Sequence, residues 1–261
     1  MELHIGQHLT VNIFGLVAHL DTLITMWVAM GLILLFALLA TRGAKIVPSK
    51  LQAVFENIVT IFVGMTKDMG KNAGSHAVLL MSLFLFIIVA NLIGQLPWKL
   101  IHLPHGELAS PTNDLNLTGA LAVVVLVYYI SQGVIEKGIG YFKHYFQPSI
   151  LMAPLNIMED IIRPMTLAVR LFANILAGEI LILVLGGLIL MFLTPEGAMA
   201  FTENILGNIL PSTFVYNTGL FLGSLLPLPI MFFELFVAFI QALVFTLLAS
   251  AYISIATAKN H

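Results

Sequence analysis

Arg163-Pro-Met-Thr-Leu-Ala-Val-Arg170-Leu-Phe-Ala-Asn174-Ile-Leu-Ala-Gly-Glu179, continuing through the uncharged run Ile180 to Leu193, decides how this chain is read. From Pro164 to Leu193 there are 30 residues, apolar but for a few positions that include one Arg and one Glu. As a helix this segment is about 45 Å long at 1.5 Å per residue, against a hydrocarbon core of about 30 Å. Pro229 to Ala258 has the same length and the same mismatch. Both segments therefore read as membrane helices that are strongly tilted or broken.

The rest of the composition agrees. Of the 261 residues 59% are hydrophobic and only 9% charged, with a mean hydropathy of +1.01, where soluble domains carry about 25% charge. That excludes a water-soluble globular protein. Eleven Lys and Arg against thirteen Asp and Glu give no basic footprint for nucleic acid. The absence of cysteine removes disulfides, thiolate metal sites and iron–sulfur clusters. Residues 1–22 hold Glu2, Asp21 and three His but no Lys or Arg, so they lack the basic start of a cleavable signal.

Outward from the deciding stretch, three further uncharged spans are predicted: Leu23 to Thr41, Ala77 to Leu96 and Leu115 to Ile135. Between the first two, Ser49-Lys-Leu-Gln52 after Pro48 has the form of a capping box. Behind it Leu51, Val54, Phe55, Ile58, Phe62 and Met65 recur at helical spacing. Residues 49–69 thus read as an amphipathic helix lying on the membrane. Residues 97–114 read as a polar loop. Residues 150–163 read as a short interfacial helix stopped by Pro164, and residues 212–258 as a segment broken by Pro227 and Pro229. The expected fold is an all-α integral membrane protein with about five crossings plus the amphipathic helix, six if 212–226 spans separately. It forms a single membrane domain of three stretches: 1–76, 77–163 and an ion-conducting hairpin over 164–258.

Nine basic residues fall in the stretches 42–75, 136–163 and 258–261, one falls at Lys99, and Arg170 lies within a span. The positive-inside rule then places the N-terminus outside and the C-terminus in the cytoplasm.

Charge is almost missing from the spans until Arg170, Glu179 and Glu234. An Arg at mid-span costs about 2.5–3.5 kcal/mol on insertion scales, and it cannot shed its proton. Arg170 and Glu179 are two and a half turns apart on opposite helix faces, so they do not pair. Glu234 and Gln241 share a face. An antiparallel register that levels Arg170 with Gln241 sets Glu179 opposite residue 232, within a turn of Glu234. One cationic level then holds Arg170, Asn174 and Gln241, and one acidic level, toward the outside, holds Glu179 and Glu234. Two carboxyls so close in a low dielectric cannot both ionise, which is the chemistry of a proton or cation relay.

The run from Arg163 to Glu179 resembles the signature helix of the subunit a family of F-type ATP synthases. So does Glu234-Leu-Phe-Val-Ala-Phe-Ile-Gln241-Ala-Leu-Val-Phe, and Pro111-Thr-Asn-Asp114-Leu-Asn116-Leu-Thr resembles the stretch before the third span. The resemblance covers most of residues 77–258, with several motifs in order and at the right spacing. It implies that Arg170 faces the c-ring of the rotor. Glu179 and Glu234 would line the outer half-channel, Asn174 and Gln241 would flank Arg170, and Thr166 would lie toward the cytoplasmic half-channel. Asn91, Asp114 and Asn116 would be polar groups near the channel mouth. Some relatives have His where this chain has Glu179 or Glu234, and an acid where it has Gly94. The implied partners are c-ring proteolipids, b-type subunits of the peripheral stalk, the rest of the complex and the bilayer of a bacterial plasma membrane. No cofactor or metal is implied. No Gly-rich phosphate loop occurs, so nucleotide chemistry belongs to partners and the chain itself is not catalytic.

Two other classes fit parts of the pattern. A secondary transporter coupled through Glu179 and Glu234 would need paired Gly/Pro-interrupted repeats, which are not seen. A structural scaffold has no reason to keep Arg170 and two carboxyls at depth. His102 and His105 lack a third ligand and read as solvated; His76 and His144 read as interfacial.

Overall fold

The computed structural model describes residues 10–13, 16–95, 110–146, 149–194, 212–225 and 227–258, with Glu196, Met199 and Glu203. Among them are seven α-helices: α1 (Leu20–Thr41), α2 (Lys50–Thr66), α3 (Ala73–Gln95), α4 (Leu115–Lys137), α5 (Ala153–Leu193), α6 (Ser212–Leu225) and α7 (Pro227–Thr257). Five of these, α1, α3, α4, α5 and α7, are long and apolar enough to cross a membrane, as expected. α6, at 14 residues, is about 21 Å long and falls short of a bilayer core. Among the described residues every regular element is helical apart from one feature not expected from the sequence. Strands β1 (Thr10–Ile13) and β2 (Leu16–His19) pair antiparallel, Thr10 opposite His19. Their β-branched and alternating residues favour strand, but four-residue strands leave little periodicity to detect.

The chain forms two compact units, residues 1–173 with 238–261, and residues 174–237. In the first, a single core draws on five helices. It includes Phe62 of α2, Leu80 and Ile87 of α3, Val125 and Tyr129 of α4, Leu167 and Leu171 of α5, and Phe245 and Ile253 of α7. On α7 the buried residues Ala238, Ala242, Phe245, Ala249, Ile253 and Ala256 recur every three or four positions. They form one helix face in which alanines let neighbouring helices approach closely. The outward faces are apolar too: Trp27, Leu34 and Leu38 on α1 and Val127 on α4 are all more than half exposed. In water this would be untenable; against lipid tails it has no cost.

The amphipathic helix α2 starts as predicted. Ser49 caps it, its hydroxyl accepting from the Gln52 N–H at 3.4 Å. The reciprocal arm of the capping box does not form: the Gln52 amide instead bonds both backbone groups of Lys45 and the Glu56 carboxyl. The predicted apolar stripe divides. Phe62 is buried and Ile58 and Met65 pack on the core, while Leu51 and Val54 stay exposed with Ile61.

The largest correction concerns Pro164. It ends no helix: α5 runs unbroken for 41 residues with Pro164 inside it. Only Ile150–Met152, a 3-10 turn, precedes it. A proline inside a helix removes the N–H that would bond the carbonyl four residues earlier, here that of Asp160. The Tyr129 hydroxyl, on α4, donates to that carbonyl at 3.4 Å. The freed acceptor is thereby satisfied, which lets the helix continue. Around it, Tyr145 donates to the Asp160 carboxyl, Arg163 pairs with Glu159 and Asp160 at 2.6 and 3.0 Å, and the Arg163 guanidinium lies 5.6 Å from the Tyr252 ring centre. Burial, then the hydrogen bond to Asp160, holds the Tyr145 phenol above its usual range, so it remains a donor. Tyr129→Phe is expected to destabilise the protein by about 1–3 kcal/mol, the cost of an unpaired buried carbonyl. Pro164→Ala in the same chain should recover most of that loss by restoring the helical N–H. Thermal unfolding of the four-member cycle in detergent measures it. If Tyr129→Phe costs as much in the Pro164→Ala background as in the wild type, the coupling is disproved.

His76, four residues into α3 and thus at the edge of a candidate span, is buried at 1% exposure, with Nδ1 2.9 Å from the Tyr128 hydroxyl. Beside it Asn72 bonds Gln132, and the Lys71 N–H donates to Glu136, tying the start of α3 to the end of α4. Gly70, at φ +80°, makes the turn that aims Lys71 there. His102 and His105 lie outside the described residues, as does the side chain of His144.

Candidate functional site

In the first unit, Arg170 sits on α5 one turn beyond the buried Leu167 and beside the buried Leu171. It is half-buried, and among the described residues no ion pair or hydrogen bond engages it. Gln241 is 7% exposed on the buried side of α7. Thr166 is exposed and turns its hydroxyl back onto the Ile162 carbonyl at 2.8 Å.

Asn91 comes from α3 into the same unit. It is 1% exposed and spans two elements: its amide donates to the Ala238 carbonyl at 3.2 Å, and its oxygen accepts from Thr112 at 2.8 Å. Ser110 lies 2.9 Å from Thr112. Gly94 is needed for this closeness, because a Cβ there would stand 2.4 Å from the Ser110 side chain. Asp114 is buried as the cap of α4, accepting from the Asn116 N–H at 2.8 Å, while the Asn116 side chain is exposed. The other Asp114 oxygen meets His19 Nδ1 at 2.6 Å and the Thr22 hydroxyl at 3.1 Å.

Burial pushes the Asp114 carboxyl up, but the bonds from Asn116, His19 and Thr22 outweigh it and hold the group below the usual carboxylate range. A carboxyl so depressed contributes stability above its unfolded value, near 3.9. That contribution disappears as pH falls through the lower folded value. The attachment of β2 and the first turn of α1 to the head of α4 is therefore expected to loosen only below about pH 4. Hydrogen exchange of residues 16–25 against pH reads this; loosening that begins near neutrality would contradict it.

In the second unit, Asn174 and Glu179 of α5 and Glu234 of α7 are all half-buried. Glu234 lies over Gly178: a Cβ on that glycine would fall 2.9 Å from Glu234 Oε1. This oxygen is buried without a hydrogen-bond partner, and the Glu179 carboxyl is close enough to act on it electrostatically. The pairing of Gly178 with Glu234 falls within one residue of the antiparallel register that the polar positions predict. The missing signal was Gly178 itself. A glycine beside a membrane carboxyl marks a place where a second side chain can lie against the backbone, and spacing alone does not say which.

Compared with known proteins, residues 23–254 match the family described as ATP synthase A chain. The chain belongs to the ATP synthase A chain family. It is thus an integral, multi-pass membrane protein and a proton-translocating subunit of the F0 sector, working with the rest of the ATP synthase. The match takes in all five candidate spans, in whole or nearly so, and each polar residue of this section except His19 and Thr22. Membership in the ATP synthase A chain family sets aside the transporter and scaffold readings.

Proposed function

We propose that this chain is the stator subunit that forms two proton half-channels against a c-ring and couples proton flow to rotation and ATP synthesis. The observation that carries the reading is Arg170, a permanent cation in an apolar span with no ion-pair partner among the described residues. A half-buried cation left unpaired is costly, and a carboxylate brought by a partner subunit would relieve that cost. A carboxyl moving in the bilayer is neutral while it carries its proton. Near Arg170 the opposite charge favours its ionised form, so it releases the proton there and takes another from the second half-channel. Arg170 also stands between the half-channels as a fixed positive barrier. Glu179 and Glu234 would pass protons on the outer side, Asn174 and Gln241 would flank Arg170, and Thr166 would lie toward the cytoplasmic exit. Asn91, Asp114 and Asn116 belong near the outer mouth. The orientation that goes with this has the N-terminus outside and the C-terminus in the cytoplasm of a bacterial plasma membrane. All of 1–261 acts as one membrane domain, and the chain has no catalysis of its own.

Isolation of the tagged chain from its native membrane in mild detergent, with partners identified by mass, tests the assembly. A many-copy, two-helix proteolipid bearing a membrane carboxyl, together with a b-type stalk, is expected. The chain alone or as a homo-oligomer would overturn the proposal. Gly178→Ala gives a second, finer test. The added methyl displaces the Glu234 carboxyl from its place over the backbone, so proton-driven synthesis should fall severalfold in a complex that assembles normally. Unchanged synthesis would mean that the Glu234 position over Gly178 has no part in proton transfer.

A further inference from the structure

The pair formed by His19 and Asp114 is left over from this reading. Asp114 is 5% exposed and accepts three hydrogen bonds: one oxygen from the Asn116 N–H, the other from Thr22 and His19. A buried carboxylate so bonded is held in its ionised form, poorly suited to carry protons. Its partner differs. The His19 side chain keeps 22% exposure while its Nδ1 is held 2.6 Å from that anion, and imidazole is the side chain whose charge changes near neutral pH. A carboxylate fixed on Nδ1 sets the orientation and tautomer of the ring.

The same unit also holds a belt of buried polar groups. Asp21 is 0% exposed, two residues along α1, and Asn113 is 5% exposed beside Asp114. Thr112 bonds Asn91, and Asn91 reaches the Ala238 carbonyl, one turn of α7 before Gln241. The titratable groups nearest His19 in the observed bonds and along the chain are Asp114, from the turn before α4, and Asp21, on the first turn of α1. From β1, Thr10 stands opposite in the ladder and does not titrate; nor do Asn91 and Gln95 at the near end of α3. α2 meets α1 at its other end, Phe55 against Phe36.

We propose that His19 is a proton-collecting group at the outer mouth of the ion path, oriented by Asp114 and delivering protons to the buried polar belt that leads through Asp21, Thr112 and Asn91 toward α7 at Gln241. The imidazole takes a proton from outside water on its exposed side and gives one inward, while the Asp114 carboxylate holds the ring in place. This inference rests on the proton-translocating reading above.

His19→Asn separates the two roles a histidine can have here, because an amide N–H can replace Nδ1–H toward Asp114 but cannot titrate. The test uses the whole complex in vesicles, with acid-jump ATP synthesis measured against the pH of the compartment that His19 faces. The wild type is expected to show an inflection as the pH of that compartment is varied. His19→Asn should assemble normally, lose that inflection, and run severalfold slower above it. His19→Ala should show the same altered profile and in addition unfold at lower temperature. His19→Gln serves the same purpose if His19→Asn does not assemble. A profile for the amide variant that superimposes on the wild type overturns the proposal and leaves His19 a tether. Wild-type complex that makes no ATP in this assay would instead bring down the proton-translocating reading, and the inference with it.

Discussion

Arg170→Ala is expected to abolish ATP synthesis driven by a proton gradient while leaving the amount of assembled complex unchanged. The size of the effect follows from three energies. A carboxylate about 4 Å from a fixed cation gains about 4 kcal/mol at an effective dielectric constant of about 20. At 1.36 kcal/mol for each pKa unit, that moves the carrier by about three units, enough to turn a protonated group into an ionised one at neutral pH. The membrane potential supplies about 2.3 kcal/mol per charge for each 100 mV, less than what the substitution removes. The gradient therefore cannot compensate. Without the barrier, protons can also pass between half-channels with no rotation, so the gradient should collapse faster when synthesis is blocked. Arg170→Lys keeps a charge but not the planar fork, and a desolvated ammonium can lose its proton; residual synthesis well below wild type is expected. Acid-jump synthesis and gradient decay in vesicles give both readouts. Undiminished synthesis by the alanine variant would remove Arg170 from the mechanism.

Glu234→Gln should slow proton flow about a hundredfold, the lower end of what a positioned proton-transfer group contributes. The amide has nearly the shape of the carboxyl and can occupy the same space over Gly178, so packing is preserved and only the capacity to carry a proton is lost. Because Glu179 acts electrostatically on the same carboxyl, Glu179→Gln and Glu234→Gln should not add in the double variant, as expected of groups in one network. Flow at the full rate through the Glu234→Gln complex would take this residue off the path. Additive losses would mean that the two carboxyls work at separate steps.

Much of this was legible in the sequence because the bilayer imposes so few rules. Uncharged runs of about twenty residues have to be helices, and all five emerged where hydropathy put them. Arg170, Glu179 and Glu234 were conspicuous because charge is rare at depth, and their spacing already implied the register in which Gly178 meets Glu234. What stayed hidden depended on contacts between distant segments. Pro164 looked like a terminator because nothing nearby in sequence could satisfy the Asp160 carbonyl; the donor is Tyr129, on another helix. His76 stood at a span boundary, and its partner there, Tyr128, lies 52 positions away on another helix. Asp114 was visible as polar near a span, whereas its binding to His19 joins residues 95 positions apart. The spacing of residues reports one helix at a time, and these pairings belong to two.

The unbroken α5 also has a mechanical meaning. On the proposed reading, any charge pulled past Arg170 by a turning rotor would pull back on Arg170 with equal force. That reaction has to be borne without the helix bending, or torque would be lost as elastic recoil. Arg170 stands ten residues, about 15 Å of helix, beyond Asp160. There Tyr129 and Tyr145 brace the helix, and Arg163 lies against Tyr252 of α7. A hinge at Pro164 would have placed the weak point between the load and its anchor. With the Asp160 carbonyl satisfied from α4, the lever is stiff along that length, and the thrust passes through three helices into the stator.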